Sequence, residues 1–531
     1  MEISRRSFLK GAVSAAGLAA LSALPVRAFA EETAEAEAAG VPSFLTPPEP
    51  IDASLISKTL EADVVVVGAG VSGMAAACAA MEGGKKVIVV EKAPHVMCRG
   101  NFGCQFGAVD SFVQREHGIT IDKGALLNRY TEDTLQMANP YFLKYWIDNS
   151  AQTLEWMLEA VDGYVMDSED RTALPDGIVD LSTVDYSASS TPENRYPQFS
   201  TRVNIRCNNT NLNEGGFYPV FYGFQRMIEE AGGEFYFNTF ADQLVKTGDA
   251  VTGIVCHSVE GEYFQINAAN VVLATGDFAN DMEMREYYTP QVKDVLCIYN
   301  GLDANSKPCN TGDGHKMAIW AGAHMEPGPY APMAHLSQVN NVLIVNNRGE
   351  RIGNEDLGAQ SITNLILRQP GQKVFVISGN SRGSVVLDPG PFGKKTEETY
   401  DDSNMDAMAA YIGEDCDPAV LKATIDRYNE LCRAGEDTDY YKDAKHLVEL
   451  DAPYYATQSG PGSILVIMGG IACDNHGQAL NDEDKPIDGL FVVGNVQGGR
   501  FGAEYPMTAP AASHGMAITL GRMVGEYVAT L

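Results

Sequence analysis

Residues 63–91 constrain this chain more than any other stretch. Asp63-Val64-Val65-Val66-Val67 is an unbroken β-branched run, the composition of a parallel strand covered on both faces. Gly68-Ala69-Gly70-Val71-Ser72-Gly73 follows at once, and the small residues from Met74 to Met81 suit a helix packed tightly on a sheet. A second strand, Lys86-Val87-Ile88-Val89-Val90, ends in Glu91. Strand, glycine turn, helix, strand and terminal acid is the order of a dinucleotide-binding βαβ unit. Gly68 permits the tight turn, Gly70 lets backbone amides approach a pyrophosphate, and Gly73 allows close helix packing, while the helix N-terminus offers partial positive charge. The expected cofactor contacts are Gly68, Ala69, Gly70, Ser72 and Gly73 in the turn, with Glu91 on a ribose and Lys92 beside it.

The N-terminus bears on location. Ser4-Arg5-Arg6-Ser7-Phe8-Leu9-Lys10 sets a twin arginine ahead of an apolar run, Gly11 to Pro25, that is shorter than a membrane-spanning helix needs. Ala28-Phe29-Ala30 supplies a small-x-small cleavage pattern, and an acidic run follows. Residues 1–30 are therefore expected to be a twin-arginine signal peptide, which places the mature protein in the periplasm or on the outer face of the cell envelope. Twin-arginine export carries folded proteins, which suits a chain that first acquires a cytoplasmic nucleotide cofactor.

The remainder, about 500 residues, is too long for one hydrophobic core. A net charge of −32 argues against a nucleic-acid partner and could attract a cationic electron donor. None of the ten cysteines forms a C-x-x-C pair, so a c-type haem is excluded. Cys98 and Cys104 are close enough for a disulfide or a cluster, but scattered buried thiols are the simpler account, and no metal site is expected.

Residues 31–60 read as a flexible leader. Two further buried strands, Asn270 to Gly276 and Gly489 to Gly494, belong with the first unit, although far apart in sequence. Between them the pattern changes to mixed strands and amphipathic helices, such as Pro418 to Ala434 with Leu421, Ile425, Tyr428 and Leu431 on one side. The expected fold class is α/β: a Rossmann-like nucleotide-binding domain in two parts, 61–328 and 460–531, with an α+β domain, 329–459, inserted.

At these residues the chain resembles the fumarate reductase and succinate dehydrogenase flavoproteins. Ala274-Thr275-Gly276-Asp277-Phe278 is similar to that family's second flavin strand, Asn310-Thr311-Gly312-Asp313-Gly314 to its T-G-D-G turn, and Ile487 to Asn495 with Gly498-Gly499 to its C-terminal flavin segment. The resemblance covers nearly all of residues 61–531. It implies FAD as cofactor, with Ala274, Thr275, Gly276, Asp313, Gly494 and Asn495 as further contacts; where the family usually carries an acid, Asn495 would act through its amide. It also implies that the inserted domain caps the flavin, and Asn347-Arg348-Gly349-Glu350-Arg351 with Asn354-Glu355 resembles a recurrent stretch of that cap. Arg351 and Glu355 are expected to hold the cap closed through salt bridges. Relatives with covalent flavin use a histidine where this chain has Cys98-Arg99-Gly100-Asn101-Phe102-Gly103, so the FAD is expected to be noncovalent and Asn101 a contact.

The departures from the family bear on substrate. The proton-donating arginine of fumarate reductases falls on Ala359, their histidine before Met-Gly-Gly falls in Leu465-Val466-Ile467, and their G-A-N-R becomes Gly502-Ala503-Glu504-Tyr505. A small dianion would lose its charge-paired contacts, so fumarate and succinate are poor candidates. Tyr505-Pro506 resembles a pair in flavin-dependent ketosteroid dehydrogenases that binds a substrate carbonyl. The expected reaction is reduction of the C=C bond of an α,β-unsaturated carbonyl compound, with hydride passing from flavin N5 to the β-carbon and Tyr505, with Arg500, stabilising the enolate oxygen. His335, Tyr330 and His514 are candidates for the proton donor. The alternatives are a dehydrogenase of a steroid-like ketone and an electron-transfer flavoprotein without an organic substrate. Electrons are expected from a separate membrane-linked cytochrome or quinol-oxidising protein.

Overall fold

The computed structural model describes residues 40–96, 105–160, 179–180, 197–204, 206–207, 218–298, 300–335, 340–387 and 395–531. The chain divides into two compact units, 1–51 and 52–531. Among its described residues the first carries a single 3-10 turn, Ser43–Leu45. The signal-peptide residues, Cys98, Asn101 and Cys104 lie outside the described residues.

In the second unit, β1 (Ile56–Val67), helix α1 (Val71–Glu82) and β2 (Val87–Val90) form the predicted βαβ unit. Val64, Val65 and Val66 are fully buried because helices or loops cover both sheet faces. The nucleotide-binding part starts earlier than residue 61. Ser57, Lys58 and Thr59 are exposed, so they carry no apolar signal, yet the backbone around them already pairs with residues 263–265. Strand propensity there is overridden by the ladder. Further on, β3 (Gln105–Gly107) pairs antiparallel with β4 (Arg202–Asn204). Strand β5 (Glu234–Tyr236) follows, then a hairpin of β6 (Thr239–Thr247) and β7 (Ala250–Ser258), and the long β8 (Tyr263–Leu273). Helix α2 (Asp313–Trp320) begins at the T-G-D-G turn.

The inserted segment has its own sheet. β9 (Ala331–His335) leads to β10 (Leu343–Asn346), α3 (Ala359–Leu367), β11 (Val374–Ser378), α4 (Met405–Ile412), α5 (Pro418–Ala434) and β12 (Tyr455–Ser459). β10, β11 and β12 form an antiparallel sheet. Period-two alternation divides it into two apolar clusters. Leu343, Val345, Phe375 and Ile377 face α4 and α5, while Val342, Ile344, Val374 and Val376 face Ile362 and Ile366 of α3. Helix α5 has the predicted bounds and buries Leu421, Ile425, Tyr428 and Leu431. The chain leaves through β13 (Ser463–Met468), which pairs antiparallel with β9.

The main sheet is completed by β14 (Gln478–Leu480) and β15 (Pro486–Val492), and helix α6 (Ala512–Ala529) lies against α1. Its order is β14-β15-β8-β1-β2-β5; β15, β8, β1, β2 and β5 run parallel, with β7 and β6 continuing off β8. The two helices approach closely because α6 is glycine-bearing: a Cβ on Gly525 would sit 2.3 Å from the Ala76 carbonyl oxygen.

The salt bridges of Arg351 and Glu355 are internal to the inserted segment, which corrects the expectation that they clamp the cap shut. Arg351 donates to Glu355 (Nη2 to Oε2, 2.8 Å) and to Asp437 (Nη2 to Oδ2, 2.8 Å), and Lys442 Nζ lies 3.2 Å from Glu355. All four side chains are at most 7% exposed. The physical reason is local: the turn after β10 and the loop after α5 meet edge to edge, so the charges neutralise one another inside the segment. Burial favours the neutral acid at Asp437, but hydrogen bonds from Arg351 and from the amides of Tyr440 and Lys442 pull it down to about 2.

Arg351→Met leaves Asp437 buried without its cation and is expected to cost about 3–5 kcal/mol in denaturant unfolding. The contribution of Asp437 is whole above its ordinary value of 3.8 and disappears as pH falls toward about 2, so the advantage of the wild type over Asp437→Asn should shrink across that window.

Candidate active site

The carboxyl ends of β1, β8 and β15 open onto one cavity of about 420 Å³, the place where an open α/β sheet binds its ligand. At one end stand Gly68, Gly70, Ser72, Glu91 and Lys92. Gly68 has φ of 109°, and a Cβ there would lie 2.5 Å from the Ala274 carbonyl oxygen, so only glycine lets β1 and β8 release the chain side by side. Ala69 and Gly73 are buried just behind the wall. Ala69 has a role through its amide, which donates to Glu91 Oε2 at 2.7 Å, while the amide of Ala93 donates to Oε1 at 2.8 Å. Burial raises the Glu91 pKa against those two bonds. A carboxylate has about four acceptor positions, so capacity for a ribose hydroxyl remains.

Beside them lie Ala274, Thr275, Gly276 and Asp313. Lys92 Nζ donates to Asp313 Oδ2 (2.8 Å) and Thr311 Oγ1 (3.1 Å). Burial opposes both charges, yet the pairing holds Lys92 above and Asp313 below their ordinary values. Asn310 also lines the cavity, and its Nδ2 donates to the fully buried Asp277 at 2.5 Å. The Thr275 hydroxyl is buried without a protein partner, a group that awaits a ligand or water.

The C-terminal segment supplies Gly494, Asn495, Tyr505, Met507, Ser513 and His514. A Cβ on Gly494 would strike Ser72 Oγ at 2.2 Å. Arg500 is not among the residues that line the cavity. It is 2% exposed and donates from Nη2 to Asn495 Oδ1 at 2.5 Å. Because a guanidinium only donates, the Asn495 oxygen must face it, and the amide nitrogen is left for a ligand. Arg500, expected to touch substrate, thus reaches the cavity only through its bond to Asn495. Tyr505 is 7% exposed and stacked on Phe501 at 5.2 Å. Burial pushes its pKa up to about 12 against Ser513, Arg500 and Arg202, so the phenol keeps its proton.

The three proton-donor candidates part company. His514 faces the cavity; its Nδ1 lies 3.1 Å from the Gln105 carbonyl oxygen and burial lowers its pKa, so it is neutral with the proton on Nδ1. Tyr330 donates instead to the backbone oxygen of Glu326 at 2.7 Å and packs edge-on to Tyr288. The backbone of His335 stands opposite Ser463, and its side chain lies outside the described residues. Ala359 opens α3, and Leu465 and Val466 give the cavity an apolar wall with Met333.

Sequence reasoning missed Arg202 and Gln105, which line the cavity from β4 and β3. It also missed Glu326, whose carboxylate accepts from the amides of Gly470 (3.0 Å) and Gly499 (2.7 Å), and whose pKa burial raises to about 7. No spacing signal marks the first two; the third stands in the chain following α2, where a lone acid gives no pattern.

A glycine turn at a helix start, a buried acid receiving two amides, an orphaned threonine hydroxyl and a second glycine turn that excludes any side chain fit a flavin adenine dinucleotide. Such a cleft is that of an FAD-dependent oxidoreductase. The chain belongs to the FAD binding domain family, whose profile matches residues 63–509. It is 29% identical over 474 residues to the probable fumarate reductase Ifc3 of Shewanella frigidimarina, covering 83% of this chain and 70% of that protein. To the vinyl phenol reductase of Lactiplantibacillus plantarum it is 24% identical over 515 residues, covering 88% and 96%. The fold is shared with a 3-ketosteroid-Δ4-(5α)-dehydrogenase from Rhodococcus jostii RHA1, with a TM-score of 0.69 at 19% identity over 90% of this chain and 99% of that one.

Gly68→Ala places a side chain at positive φ and against the Ala274 carbonyl. With about 1–2 kcal/mol of backbone strain alone, flavin affinity is expected to fall at least about tenfold, seen as loss of yellow absorbance after gel filtration.

Proposed function

We propose that the protein reduces the C=C bond of an α,β-unsaturated carbonyl compound other than fumarate. The observation that carries this reading is Tyr505: a buried phenol, its pKa pushed up to about 12, on the wall of a cavity that Met333, Leu465, Val466 and Met507 also line. A phenol can donate to a carbonyl oxygen as negative charge builds there, and an apolar enclosure strengthens that bond. The apolar wall suits the carbon skeleton of the substrate and excludes water from the reacting carbons.

Gly68, Gly70, Ser72, Glu91, Lys92, Ala274, Thr275, Gly276, Asp313, Gly494 and Asn495 would hold FAD, with Ala69 and Gly73 supporting the turn. Bound FAD supplies a reversible two-electron hydride carrier. Tyr505 would orient the carbonyl, and Arg500 would fix the Asn495 amide. The segment 329–459 is proposed to cap the cavity; β9 and β13, which contribute Met333, Leu465 and Val466, are the strands by which the chain enters and leaves it. The twin-arginine motif supports an exported location, and the net charge of −32 supports a separate, cationic electron donor such as a cytochrome. Desaturation of a ketone is the same step reversed, and the potential of the electron partner decides its direction.

Anaerobic, dye-reduced holoprotein should be reoxidised by members of an enone and acrylate panel; persistence of the reduced flavin against the whole panel would overturn the proposal. Tyr505→Phe should lower kcat/KM on an active enone about 100- to 1000-fold, with unchanged flavin content. Because the hydroxyl titrates only near pH 12, no alkaline loss of activity from this group is expected at pH 7–10.

A further inference from the structure

A buried cation stands behind the cavity wall with no anion to match it. We propose that Arg500 sets the reduction potential of the bound FAD: its charge, handed to the cavity through Asn495, favours the reduced, anionic cofactor over the oxidised one. The effect depends on FAD alone, whatever organic substrate the flavin serves.

Arg500 is 2% exposed, and among the described residues its Nη2 donates to two atoms, Asn495 Oδ1 at 2.5 Å and Met468 Sδ at 3.7 Å. Both acceptors are neutral. Nε and Nη1 are buried without a partner, and no described carboxylate forms an ion pair with the guanidinium. Glu326 is the acid of this neighbourhood, but its two oxygens are occupied by the amides of Gly470 and Gly499, and burial raises its pKa to about 7, so at neutral pH it carries only part of a charge. Tyr130, Tyr505 and Cys473 are also near, and burial keeps all three neutral at pH 7. Arg500 itself is lowered by burial to about 10 and stays charged. A cation held in this way is costly unless an anion joins it.

Two sets of contacts put that charge next to the cavity. Asn495 is a wall residue, and its neighbour Gly494 lies so close to Ser72 that a Cβ would be 2.2 Å from Oγ. The guanidinium carbon also stands 5.2 Å from the Phe501 ring centre, and Phe501 stacks at 5.2 Å on Tyr505, a second wall residue. One amide or two rings separate the charge from whatever fills the cavity. The Asn495 amide accepts from the guanidinium without cancelling its charge, as a carboxylate would. Two electrons and one proton turn oxidised FAD into its reduced form with one more negative charge. In a buried site, a cation one side chain away favours that form by about a factor of ten. The diphosphate is anionic in both forms, so a contact that served it alone would hold both equally well.

The test brings anaerobic holoprotein to equilibrium with a reference dye of known potential, which supplies the electrons while buffer supplies the proton. Arg500→Gln keeps a donor for Asn495 and loses the charge, whereas Arg500→Lys keeps the charge. At a given dye potential the ratio of reduced to oxidised flavin should fall about tenfold in Arg500→Gln, or roughly 30 mV for a two-electron couple, and stay within about threefold of wild type in Arg500→Lys. The gap should persist in about 0.5 M salt, because a buried charge is poorly screened. Asn495→Asp cancels the charge in place and should show the same fall, which keeps the test open if an Arg500 variant fails to fold. An unchanged potential in Arg500→Gln or Asn495→Asp would defeat the proposal, and flavin lost alike from oxidised and reduced protein would then mark Arg500 as support for the diphosphate. An equal fall in the Gln and Lys variants, the sign of a structural role, would defeat it too. No enone enters the measurement, so either result leaves C=C reduction to be judged on its own panel.

Discussion

The parallel backbone ladder through β1 is the constraint on which the rest of this molecule depends. Val64 to Val67 pair with Val87 to Val90 on one side and with Asn270 to Leu273 on the other, and Leu273 in turn pairs with Val492. Three segments far apart in sequence thereby end at the same level, and each releases its chain through a tight turn at the same crevice. Gly68, Gly276 and Gly494, all at positive φ, are those turns. Displacing one strand by a single residue would send every buried valine to the opposite face and take its turn out of the site.

That arrangement explains how two kinds of chemistry share one cavity. The sheet and α1 present backbone amides and fixed small residues, which suit a large invariant cofactor. The segment after β15 carries Tyr505 and Met507 on a loop, and β4 carries Arg202 on a two-stranded ribbon, where side chains can change without disturbing the ladder. Asn495 is the junction between the two. Its oxygen is committed to Arg500, so the polarity it offers to the cavity is set by a residue that does not line the cavity.

The portion of this legible in sequence was the portion encoded locally. The valine run, the glycine turn and Glu91 are contiguous, and their structure follows from their own period and sterics. The same holds for α5, where Asp417 caps the first turn, Pro418 begins the helix and Gly435 ends it in the left-handed region. Residues whose meaning is set by distant partners were not legible. Ser57 to Thr59 look like a polar leader until β8 pairs with them. Arg351 and Glu355 form a recognisable stretch, but only the position of Asp437, brought by the loop after α5, shows that their charges are spent within the inserted segment. Arg202 belongs to no motif; it lines the cavity on a ribbon whose Thr201 is tied to Pro510.

The ladder also has a consequence for how the molecule is made. β1 and β8 meet across about two hundred residues of intervening chain, and β8 and β15 across as many again, so these pairings contribute to a high contact order and are slow to form. The sheet between 343 and 459 is far more local. The last strand and α6 come from the C-terminal end of the chain, so the crevice is complete only once they have joined β8 and α1.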